Sequence, residues 1–213
     1  MNCPLCLEST TENFFSKLEK LVQKNYLHCE TCDLIFLDPS HYLSAEEEES
    51  RYLEHNNDIT DQRYRAYLLS TLLPIRERLV KEMKILDYGC GPTESLSILL
   101  REEGYQSSSY DPYFFPFDLE SENEYHLIIL SECIEHFYHP AKEFIKLKVL
   151  LKETGHLLIR TERHNGKEMF ANWYYHKDPT HVIFFSERTF QYVALMLQMK
   201  VEFPSKNIVI LRL

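Results

Sequence analysis

The segment KILDYGCGPTESLSILL, Lys84 to Leu100, constrains this chain more than any other. An apolar run with strand character breaks at Gly89 and Gly91 and then becomes leucine-rich. Only five of the 213 residues are glycine, so two this close together mark a turn that needs them. Glycine takes up positive φ and lets a ligand approach the main chain with no Cβ in the way. The segment therefore reads as strand, glycine turn, helix, with space for a bound molecule at the bend.

The chain around it alternates in the same manner. ESLSILLREEG is a helix stopped at Gly104, and YQSSSYD and YHLIILS are further strands. HPAKEFIKLKVLLKETG reads as a helix that opens with Pro140 and stops at Gly155, ahead of a strand in HLLIRT. SERTFQYVALMLQ is a helix with Ser186 as its N-cap, and KVEFPSKNIVILRL gives two strands joined at Pro204 and Ser205. Before the glycine turn, Tyr64, Tyr67, Leu68, Leu72, Ile75 and Leu79 recur at helical steps, interrupted by Pro74. Alternation of strands and helices predicts an α/β domain with a mostly parallel sheet. Such sheets bind ligands beyond the carboxyl ends of their strands. The expected division is a small N-terminal segment over 1–43, a helical connector over 44–81 and the α/β domain over 82–213.

Four of the six cysteines form two C-x-x-C pairs, CPLC (Cys3, Cys6) and CETC (Cys29, Cys32). The first residues carry no basic head followed by an apolar stretch, so a cytoplasmic protein without a disulfide framework is expected. Two such pairs about twenty residues apart fit a four-thiolate structural zinc site in a zinc ribbon, with a redox dithiol as the alternative. His28 could replace one thiolate. Cys90 and Cys133 read as small buried residues.

The formal net charge of −10 argues against an extended phosphate-binding face, and so against a nucleic-acid partner. No apolar run approaches the roughly 20 residues that cross a bilayer. The acidic run Glu46 to Glu49 reads as a solvated helix start.

A dinucleotide fingerprint would place a third glycine where Glu94 stands. A carboxylate there repels a pyrophosphate but tolerates a cation. S-adenosylmethionine (AdoMet), a phosphate-free nucleoside with a sulfonium, suits such a turn better than NAD.

With those residues in view, ILDYGCG resembles the first motif of class I AdoMet-dependent methyltransferases, and YHLIILSECIEHF and GHLLIRT resemble their fourth and fifth strands. YLHCETCDLIFLDP and WYYHKDPTHVIFFSERTF are similar to a bacterial branch in which a four-cysteine zinc-binding segment precedes the catalytic domain. The resemblance implies a Rossmann-like sheet, mostly parallel with an antiparallel C-terminal strand and helices on both faces. It implies that Asp87, Gly89 and Gly91, with the main chain of Tyr88 and Cys90, hold the methionine end of AdoMet. It implies that Asp111 and Pro112 meet the ribose, that Asp118 or Leu119 lies near the adenine, and that Ser131 and Glu132 face the methyl donor. Asp111 also reads as an Asx turn before Pro112.

Methyl transfer demands mainly that an acceptor be held in line with the sulfonium. A general base helps when the acceptor is a hydroxyl or an acidic carbon. The candidates are His136, His176 and His181; His136 reads equally as a packing residue. His176, Asp178 and His181 could order an acceptor-covering loop or, less simply, hold a metal. Trp173, Tyr174 and Tyr175 read as an aromatic wall for the acceptor or as loop packing. The reading as a whole is an AdoMet-dependent methyltransferase acting on a small-molecule acceptor. The alternative, a non-catalytic zinc-ribbon binding protein that keeps the AdoMet-binding fold, rests on Thr93, which stands where relatives often place a further glycine.

Overall fold

The computed structural model describes residues 1–9, 11–19, 21–54, 57–119 and 125–213. In chain order, an N-terminal hairpin β1 (Thr11–Glu19) and β2 (Val22–Cys29) is followed by β3 (Ile35–Leu37), α1 (Ala45–Leu53) and α2 (Gln62–Ser70). Then come β4 (Lys84–Tyr88), α3 (Ser95–Glu102), β5 (Gln106–Tyr110), β6 (Tyr125–Ser131), α4 (Pro140–Leu150) and β7 (Leu151–Arg160). The chain finishes with α5 (Lys167–Asn172), β8 (Ile183–Phe184), α6 (Glu187–Leu197), β9 (Lys200–Ser205) and β10 (Ile208–Arg212).

The central sheet has the order β5-β4-β6-β7-β10-β9. The first four strands in that order are parallel, and β10 and β9 close the sheet as an antiparallel hairpin. Alternate side chains point to opposite faces of a strand. Accordingly Leu86, Ile128, Leu130, Leu157 and Ile159 enter one core with Phe144 of α4 and Phe190 of α6. Ile85, Leu127, Ile129 and Leu158 enter the other with Leu96, Leu99 and Leu100 of α3. Both faces of the sheet are thus buried, as a parallel sheet requires.

A second, antiparallel sheet has the order β1-β2-β3-β8. Its last strand comes from far along the chain, with Ile35 opposite Phe184 and Phe36 opposite Ile183. Cys3, Leu5, Tyr26 and Phe36 join the same core as Phe144 and Phe190. The cysteine segment is therefore part of the main hydrophobic core.

Two expectations about elements need correction. Gly155 does not stop α4: the helix passes directly into β7 at Leu151. Gly155 lies inside that strand beside a register shift, where an added Cβ would sit 2.9 Å from the Lys152 carbonyl. The final turn is not at Pro204 and Ser205, which belong to β9; Pro204 is tolerated because β9 is an edge strand. As Pro74 implied, the helical pattern before the glycine turn is divided, and it ends in a 3-10 turn over Leu73–Arg78.

Candidate active site

Two glycines shape the bend after β4 for different reasons. Gly89 has φ +74°, and a Cβ there would lie 2.5 Å from Cys133 Sγ. Gly91 has φ +69° with nothing within 4 Å, so its α-carbon faces open space. The amides of Gly89 and Cys90 donate to the Tyr110 carbonyl at 2.8 and 3.1 Å, which pins the bend to the end of β5. Asp111 follows directly. Its Oδ2 accepts from the Gly91 amide at 3.0 Å, and its Oδ1 accepts from the amides of Tyr113 and Phe114 at 2.9 and 3.2 Å. The Asx-turn reading is thus correct, and the same carboxylate borders a cleft.

That cleft, about 890 Å³, lies beyond the carboxyl ends of β4, β5 and β6. Asp87, Tyr88, Gly89, Cys90, Gly91, Asp111, Pro112, Ser131 and Glu132 all border it. So do His136 and His181. Burial raises the Asp87 carboxyl to about 7, with Glu94 and Asp111 adding repulsion. Burial likewise pushes the Cys90 and Cys133 thiols up, so neither is an activated nucleophile.

His176 does not reach the cleft. Its ring stacks on Phe170 at 4.9 Å, and its Nδ1 is 3.3 Å from Lys17 Nζ of β1. Its role is packing against the N-terminal sheet. Asp118 and Leu119 do not border the cleft either; Leu119 is part of the core. The aromatic wall consists of Tyr174 and Tyr175, whereas Trp173 is buried against Phe170 and Tyr175.

Glu94 and Thr93 are also not where the sequence implied. Glu94 turns away from the cleft, accepting from Arg101 at 2.9 Å and from Ser109 at 2.8 Å. Thr93 is exposed and its hydroxyl is 2.7 Å from that of Ser95. Neither borders the cleft.

The roof of the cleft comes from residues the sequence did not single out. Glu48 is only 4% exposed, and its carboxylate accepts from Tyr52 at 3.0 Å and Tyr113 at 2.7 Å. The acidic run is therefore not simply a solvated helix start, although the Ser44–Glu47 capping box does begin α1 there. Arg51 of α1 meets Asp178 at 2.7 Å and ties the roof to the loop before β8. Burial opposes the Asp178 charge, but Arg51 and Thr180 hold this carboxyl well below its usual range.

Beneath the roof, Tyr67 donates to Glu132 Oε1 at 2.9 Å and Tyr175 reaches Glu132 Oε2 at 2.9 Å. The Tyr175 hydroxyl also contacts Glu135, which is fully buried. Arg160 closes the network with hydrogen bonds to the Tyr67 carbonyl and the hydroxyls of Ser70 and Thr71. Glu132 and Tyr175 were legible in the sequence as site residues, and Tyr67 only through the aromatic spacing of the helical segment; Glu135 and Arg160 carried no such cue.

At the N-terminus, Cys3, Cys6, Cys29 and Cys32 converge with their sulfurs within 4.8 Å of one another. The two pairs fold alike. The residue after each pair has positive φ, +65° at Leu7 and +62° at Asp33, and its amide bonds back to the first cysteine's carbonyl at 3.0 and 2.8 Å. His28 stands aside from this cluster, bonded to Asp33 at 2.8 Å.

A parallel sheet closed by an antiparallel hairpin, with a glycine bend after its first strand and an acidic residue after the next, is the class I AdoMet-dependent methyltransferase fold. The sequence agrees: a family model described as a methyltransferase domain matches residues 60–194, and the chain belongs to that family. No curated protein matches the sequence. Among solved structures, one similar in fold is the Burkholderia thailandensis 1,6-didemethyltoxoflavin-N1-methyltransferase, solved with 1,6-didemethyltoxoflavin and S-adenosylhomocysteine. It is 12% identical at a TM-score of 0.56, over 87% of this chain and 97% of that one. A protein from Pyrococcus horikoshii is 16% identical at a TM-score of 0.51, over 76% of this chain and 98% of its own. Among the described residues, no helix is long and apolar enough to cross a membrane.

Proposed function

We propose that the protein is an AdoMet-dependent methyltransferase that acts on a small-molecule acceptor and carries one structural zinc ion. The reading rests above all on one juxtaposition: Gly91 and Asp111, joined by a hydrogen bond, border the same cleft as tyrosines and histidines from distant segments. The first pair suits a nucleoside. An ionised carboxylate oxygen accepts from about two directions, so Asp111 Oδ2 keeps capacity for a ribose hydroxyl beside its bond to Gly91. Asp87 and Glu132 border the same space and favour a sulfonium cation over its neutral product.

The tyrosines and histidines suit the acceptor. In the transfer, an acceptor lone pair forms the new bond to the methyl carbon. The sulfur–methyl bond breaks, its electron pair stays on sulfur, and S-adenosylhomocysteine is released. The proton of a protic acceptor passes to a nearby base or to water. Tyr174 is exposed and offers a flat face for a ring, and the Arg51–Asp178 pair stands at the border of the cleft. The Burkholderia enzyme of similar fold was solved with 1,6-didemethyltoxoflavin and S-adenosylhomocysteine bound, which supports a small-molecule acceptor here.

The zinc reading rests on the cysteine cluster. Thiolates about 2.3 Å from a tetrahedral zinc stand about 3.8 Å apart. The Cys3–Cys32 and Cys6–Cys29 sulfurs lie 3.5 and 3.4 Å apart, which leaves room for an ion after a small expansion. Four cysteine ligands close the coordination sphere, so the ion would hold the fold and take no part in the transfer.

Calorimetric titration with S-adenosylhomocysteine tests the cofactor assignment. Binding to the wild type, and its loss in Asp111→Ala, is the expected result. A folded wild type that ignores the ligand at millimolar concentration defeats the reading. Transfer of label from methyl-labelled AdoMet to a metabolite fraction tests the acceptor assignment.

A further inference from the structure

Glu135, His136 and His181 lie at the acceptor end of the cleft. One ring nitrogen from each histidine and a carboxylate oxygen of Glu135 fall within 4.8 Å of one another. Two of these residues come from the turn after β6, and the third comes from the loop before β8. Only the fold brings them together.

Each donor is held from behind. His136 Nδ1 is 2.9 Å from the Thr180 carbonyl, and His181 Nδ1 is 2.7 Å from the Tyr175 carbonyl. A carbonyl only accepts, so each Nδ1 carries the proton and each Nε2 carries the lone pair in the neutral ring. Fixing the second ring nitrogen on a carbonyl is how proteins orient metal-ligating histidines. The Glu135 carboxylate is oriented in turn by the hydroxyls of Tyr175 and Thr161, the latter at 3.2 Å. Glu132 adds a second carboxylate beside it, sharing the Tyr175 hydroxyl. Glu135 is fully buried and Glu132 meets the same hydroxyl, so a cation beside the two carboxylates offsets the cost of placing charge there.

We propose that Glu135, His136 and His181 form a divalent-metal site at the acceptor end of the cleft, with open positions for two neighbouring oxygens of the acceptor. Two imidazoles and one carboxylate select Mn²⁺, Fe²⁺, Co²⁺ or Zn²⁺ over Mg²⁺ and Ca²⁺. His136 and His181 border the cavity while Glu135 lies behind them, so the open face of the ion points into the cleft. A bound metal lowers the pKa of a hydroxyl on it, as it does for water. The acceptor class that follows is a vicinal diol, a catechol or a hydroxy-ketone, its hydroxyl proton released to water as the oxygen binds the metal. The acceptor class depends on the methyltransferase reading; the metal site does not.

The test uses full-length protein with zinc retained at the cysteine cluster, titrated with Mn²⁺ and followed by the electron paramagnetic resonance of the free ion. Mn²⁺ avoids thiolates, which separates this site from the cysteines. One Mn²⁺ per chain is expected, bound about tenfold or more weakly in His181→Ala, His136→Gln and Glu135→Gln, with S-adenosylhomocysteine affinity retained. Circular dichroism identifies the variants that fold, and the wild-type titration decides by itself if none does. Absence of wild-type binding at millimolar Mn²⁺, or folded variants that bind as the wild type does, overturns the site. That result would leave His136 and His181 as an edge-to-face packing pair, 4.9 Å between centroids. Failure to bind S-adenosylhomocysteine, with Mn²⁺ still bound, would defeat the methyltransferase reading and spare the metal site.

Discussion

The Gly91 amide donates to Asp111 Oδ2 at 3.0 Å, which locks the bend after β4 to the residue that follows β5. The two residues are twenty positions apart, yet one hydrogen bond fixes the opening between them. Asp111→Ala should cost about 1.5–3 kcal/mol of stability, the range for a hydrogen bond to a charged group. It should also weaken AdoMet binding by more than Asp111→Asn does, because asparagine keeps one carbonyl acceptor. Paired urea melts and calorimetric titrations of both variants check this.

The two glycines of the bend should differ in their response to alanine. Gly91→Ala meets only the left-handed backbone penalty, about 1–2 kcal/mol, since nothing lies within 4 Å of the new methyl. Gly89→Ala carries the same penalty and also drives a methyl into Cys133. Overpacking of this kind adds about 1–3 kcal/mol. Urea midpoints that rank Gly91→Ala as the more destabilised variant would contradict the account.

Zinc removal should unfold more than the N-terminal hairpin. Cys3, Cys29 and Cys32 sit in the same hydrophobic core as Phe144 and Phe190, and Arg188 of α6 donates to the Glu30 carbonyl at 2.6 Å. Chelation should therefore lower the single melting transition of the whole chain. Elemental analysis should find one zinc per chain, lost in Cys29→Ser. A protein that melts identically with and without chelator would rule out the structural ion.

Asp87 makes stability depend on pH. Its carboxyl is raised to about 7 in the folded protein, against about 3.9 in an unfolded chain. The native state therefore holds a proton that the unfolded state has lost between those values. This contribution is complete below about pH 4 and is lost as pH rises through about 7, at up to about 1.4 kcal/mol per unit. Asp87→Asn should flatten that slope in urea melts between pH 5 and pH 8 (approximate bounds). AdoMet should stabilise the wild type increasingly with pH across the same window, because the sulfonium meets an ionised carboxylate.

Arg51 joins the roof to the loop before β8 through Asp178. The pair is partly exposed, so Arg51→Ala should cost only about 1 kcal/mol or less of stability. Its larger expected effect is kinetic, a raised KM for the acceptor with the AdoMet affinity unchanged. Equal losses for both substrates would show that the contact has no role in covering the acceptor.

The sequence by itself determined the features that depend on neighbours along the chain. The bend at Gly89 and Gly91 follows from backbone freedom that only glycine supplies, the α/β alternation from apolar periodicity, and the paired thiols from the two C-x-x-C spacings. Tertiary structure decided which way the polar side chains face. His176 and His181 are five residues apart, yet one packs on the N-terminal sheet and the other borders the cleft. Glu48 enters the roof from a run that reads as solvent-facing, and Glu94 leaves the cleft for Arg101. Backbone preference acts over a few residues, whereas the orientation of a buried charge depends on partners supplied by distant segments.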